Sequence, residues 1–237
     1  MFEVQLYSLS DRLPLVSRHF YDVFKHASPI FNAYYILGRV WSDDSDISEL
    51  YSSSLRYPIC NQQVHQSIQQ LVDNLSIPRS KIDVQLPTRL FRTLRPPPKG
   101  WTTEDEPLPF LRYLCDVPDL HVDVDHLDGY ALTRAVHAKF LPLVKFLLDH
   151  HASPKCHDRL AIKVAIRQKD LVMLKLLVER PQIKMGREKG KRHKLEDNVQ
   201  LDTQLLNLAI RVAATDIISY LHHEKGVVPD LETLKRL

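Results

Sequence analysis

The chain has 237 residues, an apolar fraction of 44% and a formal net charge of +3. That is room for one solenoid or two small domains, with too little charge for a polycation. Its 6 glycines against 15 prolines argue against a sheet protein rich in glycine turns, and its 3 widely spaced cysteines make no disulfide framework and suit a reducing compartment. No stretch approaches ~20 apolar residues, so no membrane span is expected. Met1 to Pro14 lacks the basic start and apolar run of a signal peptide, so the expected location is cytoplasmic and/or nuclear.

Residues 1–55 are apolar and aromatic with helical spacing. Leu9, Leu13, Val16, Phe20, Val23 and Phe24 recur at steps that predict one buried stripe, with Ser10-Asp11 as the N-cap. Trp41 to Ser54 is rich in Ser and Asp and reads as a loop or short helix. Residues 56–106 read as a proline-broken connector with one helix, Asn61 to Leu75, whose face carries Val64, Ile68, Leu71 and Leu75. Pro78, Pro87 and Pro96-Pro97-Pro98 interrupt regular structure, and Lys99 to Glu106 reads as exposed.

From residue 107 to 237 one phrase returns. Tyr130-Ala131-Leu132-Thr133-Arg134-Ala135-Val136 is followed by Leu143-Val144-Lys145-Phe146-Leu147-Leu148. Leu160-Ala161-Ile162-Lys163-Val164-Ala165-Ile166 is followed by Met173-Leu174-Lys175-Leu176-Leu177-Val178. Gln204-Leu205-Leu206-Asn207-Leu208-Ala209-Ile210 is followed by Asp216-Ile217-Ile218-Ser219-Tyr220-Leu221. Ala135, Ala165 and Ala209 are 30 and 44 residues apart, and Leu147, Leu177 and Leu221 follow in the same register. An earlier partial unit, Leu108 to Leu114, matches Leu141 to Leu147 at a step of 33. A repeat of this length predicts stacked helical pairs, which bind partners more often than they catalyse. The fold class expected is all-α: a helical solenoid of about 3–4 divergent units behind a small N-terminal helical region.

The unit from Asp128-Gly129-Tyr130 through Ala135-Val136 and Leu143 to His151-Ala152-Ser153-Pro154 resembles the ankyrin repeat. That family reads Gly-x-Thr-Pro-Leu-His-x-Ala-Ala, then Leu-x-x-Val-x-x-Leu-Leu-x-x-Gly-Ala. Here Ala131 stands for the Pro, Thr133 for the His and His151 for the Gly. The resemblance covers 107–237 and implies a concave face that meets another protein. Leu9-Ser10-Asp11-Arg12-Leu13-Pro14-Leu15-Val16-Ser17-Arg18-His19-Phe20 resembles the latter half of an F-box, with Met1-Phe2-Glu3-Val4 where that family has Leu-Pro-x-Glu. This implies docking of a ubiquitin-ligase adaptor through Leu15, Val16 and Phe20. The layout as a whole resembles fungal proteins that join such a segment to divergent ankyrin repeats.

Two residues past each repeated alanine come His137, Arg167 and Arg211, with Lys139 and Lys169 two further on. In the ankyrin family that position faces the concave surface, and an aligned basic ladder would favour an acidic partner segment. The plainer alternative is a solvated helix face. The step of 44 holds 14 extra residues, including the basic Lys184, Arg187, Lys189, Lys191, Arg192 and Lys194. Such a run reads as a nuclear-localisation signal, a phosphate-contacting patch or a solvated loop. No aromatic residue interleaves it, so nucleic acid is not the expected partner.

Asp116 to Gly129 has the wrong spacing for a calcium loop, with Arg134 where the bidentate Glu belongs. His150, His151, Cys156 and His157 share a loop without paired-cysteine zinc spacing, so no metal and no cofactor is expected. No nucleophile–base motif or phosphate loop is present, and no enzyme is expected. The expected function is a non-catalytic protein-interaction module. The alternative is a substrate receptor of a cullin-type ubiquitin ligase.

Overall fold

The computed structural model describes residues 2–10, 12, 16–41, 46–74, 81–98, 100–179 and 199–229. The protein is mostly helical and forms two compact units. The first is Met1–Thr93 with Glu104–Asp123, and the second is Leu94–Thr103 with Val124–Leu237. The division falls after Asp123 rather than at residue 106. The segment 108–116, aligned by sequence with the repeats, therefore belongs to the first unit.

The first unit begins with α1 (Phe2–Ser8), α2 (Arg18–Lys25) and α3 (Pro29–Val40). The expected single stripe from Leu9 to Phe24 is not one helix. α1 stops at Ser8, and Leu9 takes a left-handed φ of 46°. The cap of α2 is Ser17, whose hydroxyl accepts from the Phe20 amide at 3.3 Å, rather than Ser10-Asp11. Ser28 caps α3 in the same way, with Pro29 at the first helical position where its missing N–H costs nothing. Phe24 is buried and stacks between Phe20 and Phe31.

The Ser-rich stretch before residue 55 folds as α4 (Ile47–Ser54). Its serines have a purpose. β1 (Ile82–Gln85) pairs in parallel with β2 (Leu120–Asp123), Val84 opposite Val122. Ser48 and Ser52 of α4 accept from the Asp83 and Gln85 amides of β1, at 3.2 and 3.0 Å. Four residues of helix rise ~6 Å and two residues of strand rise ~6.7 Å, so the two spacings match. These hydroxyls satisfy strand amides that a two-stranded sheet leaves open.

α5 (Gln62–Asp73) is capped by Asn61, which accepts from the Val64 amide at 3.0 Å. Its buried face is Val64, His65, Ile68 and Val72; Leu71 is only half-buried, and Leu75 lies outside the described residues. The helix thus turns His65 inward, a residue that apolar periodicity passes over. α6 (Arg89–Arg92) and α7 (Leu108–Asp116) complete the unit, with α7 packed on β2. The stretch expected to be a connector therefore supplies a strand and a short helix to a core. Arg89 anchors it, donating to the carbonyls of Leu55 and Cys60 at 2.6 and 2.8 Å.

Among the described residues, the second unit is three helix pairs in series: α8 (His126–His137) with α9 (Leu141–Asp149), α10 (Cys156–Arg167) with α11 (Leu171–Glu179), and α12 (Thr203–Arg211) with α13 (Thr215–Ser219), which runs on as a π-helical turn, Tyr220–Glu224. α8 packs on α10, α10 on α12, and α9 on α11. Ala135, Ala165 and Ala209 are fully buried, as are Leu147, Leu177 and Leu221.

The first helix of each pair ends in the same way. The amides of Phe140, Asp170 and Ala214 donate to the carbonyls of Ala135, Ala165 and Ala209, at 2.9, 3.1 and 3.0 Å. The preceding residue donates across a shorter span, from Lys139, Lys169 and Ala213 to Val136, Ile166 and Ile210. This is a Schellman motif, and it needs a left-handed residue. Lys139, Lys169 and Ala213 supply it with φ of 55°, 54° and 52°. The repeated alanine is therefore both a small packing residue and the acceptor that closes its helix.

Each first helix of the first two pairs opens with three consecutive left-handed residues, Leu127 to Gly129 and His157 to Arg159. Gly129 has no alternative: a Cβ there would lie 2.7 Å from the Cys156 Cβ. The segment expected to be exposed around Lys99 instead delivers Trp101. Its indole stacks on Phe140 at 4.1 Å and donates to the Ala138 carbonyl at 2.8 Å.

Candidate recognition surface

His137, Arg167 and Arg211 are the last residues of α8, α10 and α12, and all three are exposed. Their location follows from the local fold. The Schellman turn ends each helix one residue later, so the register that buries the alanine turns the second residue beyond it outward. Lys139 and Lys169 are also exposed, but they occupy the left-handed turn position rather than the helix face. The third pair has Ala213 there.

The first helices run parallel and in step. At their starts, the Ser153 amide donates to the Asp125 carboxylate at 2.8 Å, linking the second pair to the first. Arg159 reaches from the start of α10 to Asp202, the N-cap of α12, at 2.8 Å, and to the Gln200 carbonyl at 2.8 Å. At the ends, Gln168 after α10 donates to the His137 carbonyl at 2.7 Å. That bond and the Trp101 indole satisfy two terminal carbonyls of α8, which no helical amide can reach. The equivalent basic positions are thereby held side by side. Among the described residues, no carboxylate pairs with His137, Lys139, Arg167, Lys169 or Arg211.

Several acids elsewhere in this unit are engaged. Asp158 pairs with Lys163 and Arg159, and the Lys163 hydrogen bond pulls its carboxyl below the usual range. Lys225 and the Tyr220 hydroxyl both donate to Glu179, and Lys175 pairs with Glu224, fastening the end of the third pair to α11. Among the described residues, no such pair holds His137, Arg167 or Arg211 on the turn row.

Of the residues expected to meet an adaptor, Val16 is 69% exposed just before the α2 cap, and Phe20 is half-buried against Phe24. Leu15 lies outside the described residues, as do Lys184, Arg187, Lys189, Lys191, Arg192 and Lys194.

The first unit holds a buried polar cluster that sequence reasoning missed. His65 Nδ1 lies 3.0 Å from the Tyr113 hydroxyl, which donates to Gln69 Oε1 at 2.8 Å. Burial pushes the His65 imidazole down to about 4, so it stays neutral. Two apolar-looking helices, 48 residues apart in sequence, create this contact; nothing local signals it. Burial also pushes the thiols of Cys60 and Cys115 up to about 12 and about 11, the opposite of what a reactive thiolate needs. Among the described residues, no three His, Cys, Asp or Glu side chains are grouped to hold a metal, and no helix is long and apolar enough to cross a membrane.

No family model matches the chain, and no curated protein or solved structure matches it either.

Proposed function

We propose that the chain is a non-catalytic protein-interaction module of ankyrin-like build, acting in the cytoplasm and/or nucleus, that holds an acidic segment of a partner protein. The observation that carries this is the exposed row of His137, Arg167 and Arg211, which pairs with no carboxylate among the described residues, on three successive pairs whose buried positions repeat. A further support for the ankyrin-like reading is His151. It stands where that family has glycine and takes a left-handed φ of 67°, the conformation glycine adopts most easily.

The test is fluorescence anisotropy of labelled oligo-glutamate with the full chain. Arg167→Glu with Arg211→Glu is expected to abolish binding while the far-UV circular dichroism spectrum stays unchanged. Unaltered binding by the double variant overturns the proposal. Glutamate at a helix end opposes the dipole by ~0.3–1 kcal/mol per site, so Arg167→Gln with Arg211→Gln provides a milder second variant.

A second reading, a substrate receptor of a cullin-type ubiquitin ligase, is favoured by the exposure of Val16. It requires that a cullin adaptor co-purify with the chain and be lost on Val16→Ser with Phe20→Ser in a protein that still folds.

A further inference from the structure

We propose that the turn row accepts a polyproline II segment bearing a carboxylate at every third residue. The inference rests on the acidic-partner reading above and specifies the backbone of that partner. α8, α10 and α12 are locked in step by the Asp125–Ser153, Arg159–Asp202 and Gln168–His137 hydrogen bonds. Helices packed in this way lie ~8–10 Å apart, so His137, Arg167 and Arg211 repeat at about that interval. A β-strand presents the same face every second residue, at ~6.7 Å, and then at ~13.4 Å, matching neither one interval nor its neighbour. An α-helix returns to the same face at ~5.4 Å and again at ~10.8 Å, short of the interval and then beyond it. A polyproline II chain has three residues per turn and a ~3.1 Å rise, so every third side chain points the same way, ~9.3 Å on.

The row's own backbone agrees with this partner. The amides of Lys139, Lys169 and Ala213, and those of Phe140, Asp170 and Ala214, are already used in the Schellman bonds. The surface has no free strand edge to which an incoming strand could add, and it recognises by side-chain charge alone. Lys139 and Lys169 place a permanent cation beside the first two positions; Ala213 leaves the third to Arg211 alone.

The test uses three labelled nine-residue peptides, each of three glutamates and six prolines. One has glutamate at every third position, one at every second, and one has the three together. Anisotropy titrations at low ionic strength with the full chain are expected to favour the every-third peptide about tenfold, the scale of a few matched surface ion pairs. Arg167→Gln with Arg211→Gln is expected to erase the preference. Equal affinity for all three peptides overturns the register and leaves the acidic-partner reading standing. No binding of any peptide, or binding only of a DNA duplex of equal charge, overturns both.

Discussion

The two units solve the same problem differently. The second uses one device three times: a buried alanine that closes its helix, a left-handed turn, and a buried leucine in the returning helix. The first uses single contacts that never recur: Ser48 and Ser52 on a strand edge, Arg89 on two carbonyls, and His65 against Tyr113. Repetition separates what packs from what is displayed, because any position that varies across equivalent sites is free of the packing constraint. One-off polar ties give no such separation, and they make the first unit answer to protonation in a way the second does not.

That contrast can be broken most forcefully in the core of the second unit. Leu147→Ala is expected to cost about 2–5 kcal/mol, because a fully buried leucine leaves a cavity between helix pairs. In urea denaturation the loss should appear in Trp101 fluorescence and spare Trp41, which belongs to the first unit. A coincident shift of both signals would mean that the units unfold as one.

Acid should pick out the first unit. His65 is held neutral at a folded pKa of about 4, against a reference of 6.5. The unfolded chain therefore binds the extra proton first. Stability is full above pH 6.5, falls as pH drops through the interval to about 4, and levels below it. The contribution is about 3 kcal/mol if the burial is fully effective. Urea midpoints read through Trp41 should fall across that interval, and His65→Leu should flatten the fall. An unchanged slope in His65→Leu would remove His65 as its source.

A smaller effect is expected at the start of α8. Gly129→Ala forces a left-handed φ of 72° on a residue with a Cβ and brings that Cβ against Cys156. A loss of about 2 kcal/mol follows, confined to the second unit. Smallest of all is Arg167→Gln with Arg211→Gln. Loss of two favourable helix-end charges costs about 0.3–1 kcal/mol at each, measured by urea denaturation. A loss as large as that of Leu147→Ala would make these arginines structural rather than displayed.

The same contrast explains what could be read in the sequence. The steps of 30 and 44 locate the alanines and leucines of the second unit, because helical pairs that stack must repeat their apolar register. The exposed row is legible for the same reason. The first unit is hard to read from sequence because its determinants are long-range. Ser48 and Ser52 look like loop residues until β1 lies against them, and Pro87 and Pro96 to Pro98 suggest a connector when the strand between residues 81 and 86 is too short to show a period. The segment 108–116 imitates a repeat because any amphipathic helix beginning Leu-Pro imitates another. Nothing in the sequence marks the left-handed turns at Lys139 and Lys169, because neither position carries a glycine.

The proposed recognition by the turn row has one direct readout. Hydrogen–deuterium exchange of the full chain, with and without oligo-glutamate, tests it directly. Slowed exchange is expected in the three turns 137–140, 167–170 and 211–214 together. Slowing confined to the first unit, or to the basic stretch 184–194, would contradict it.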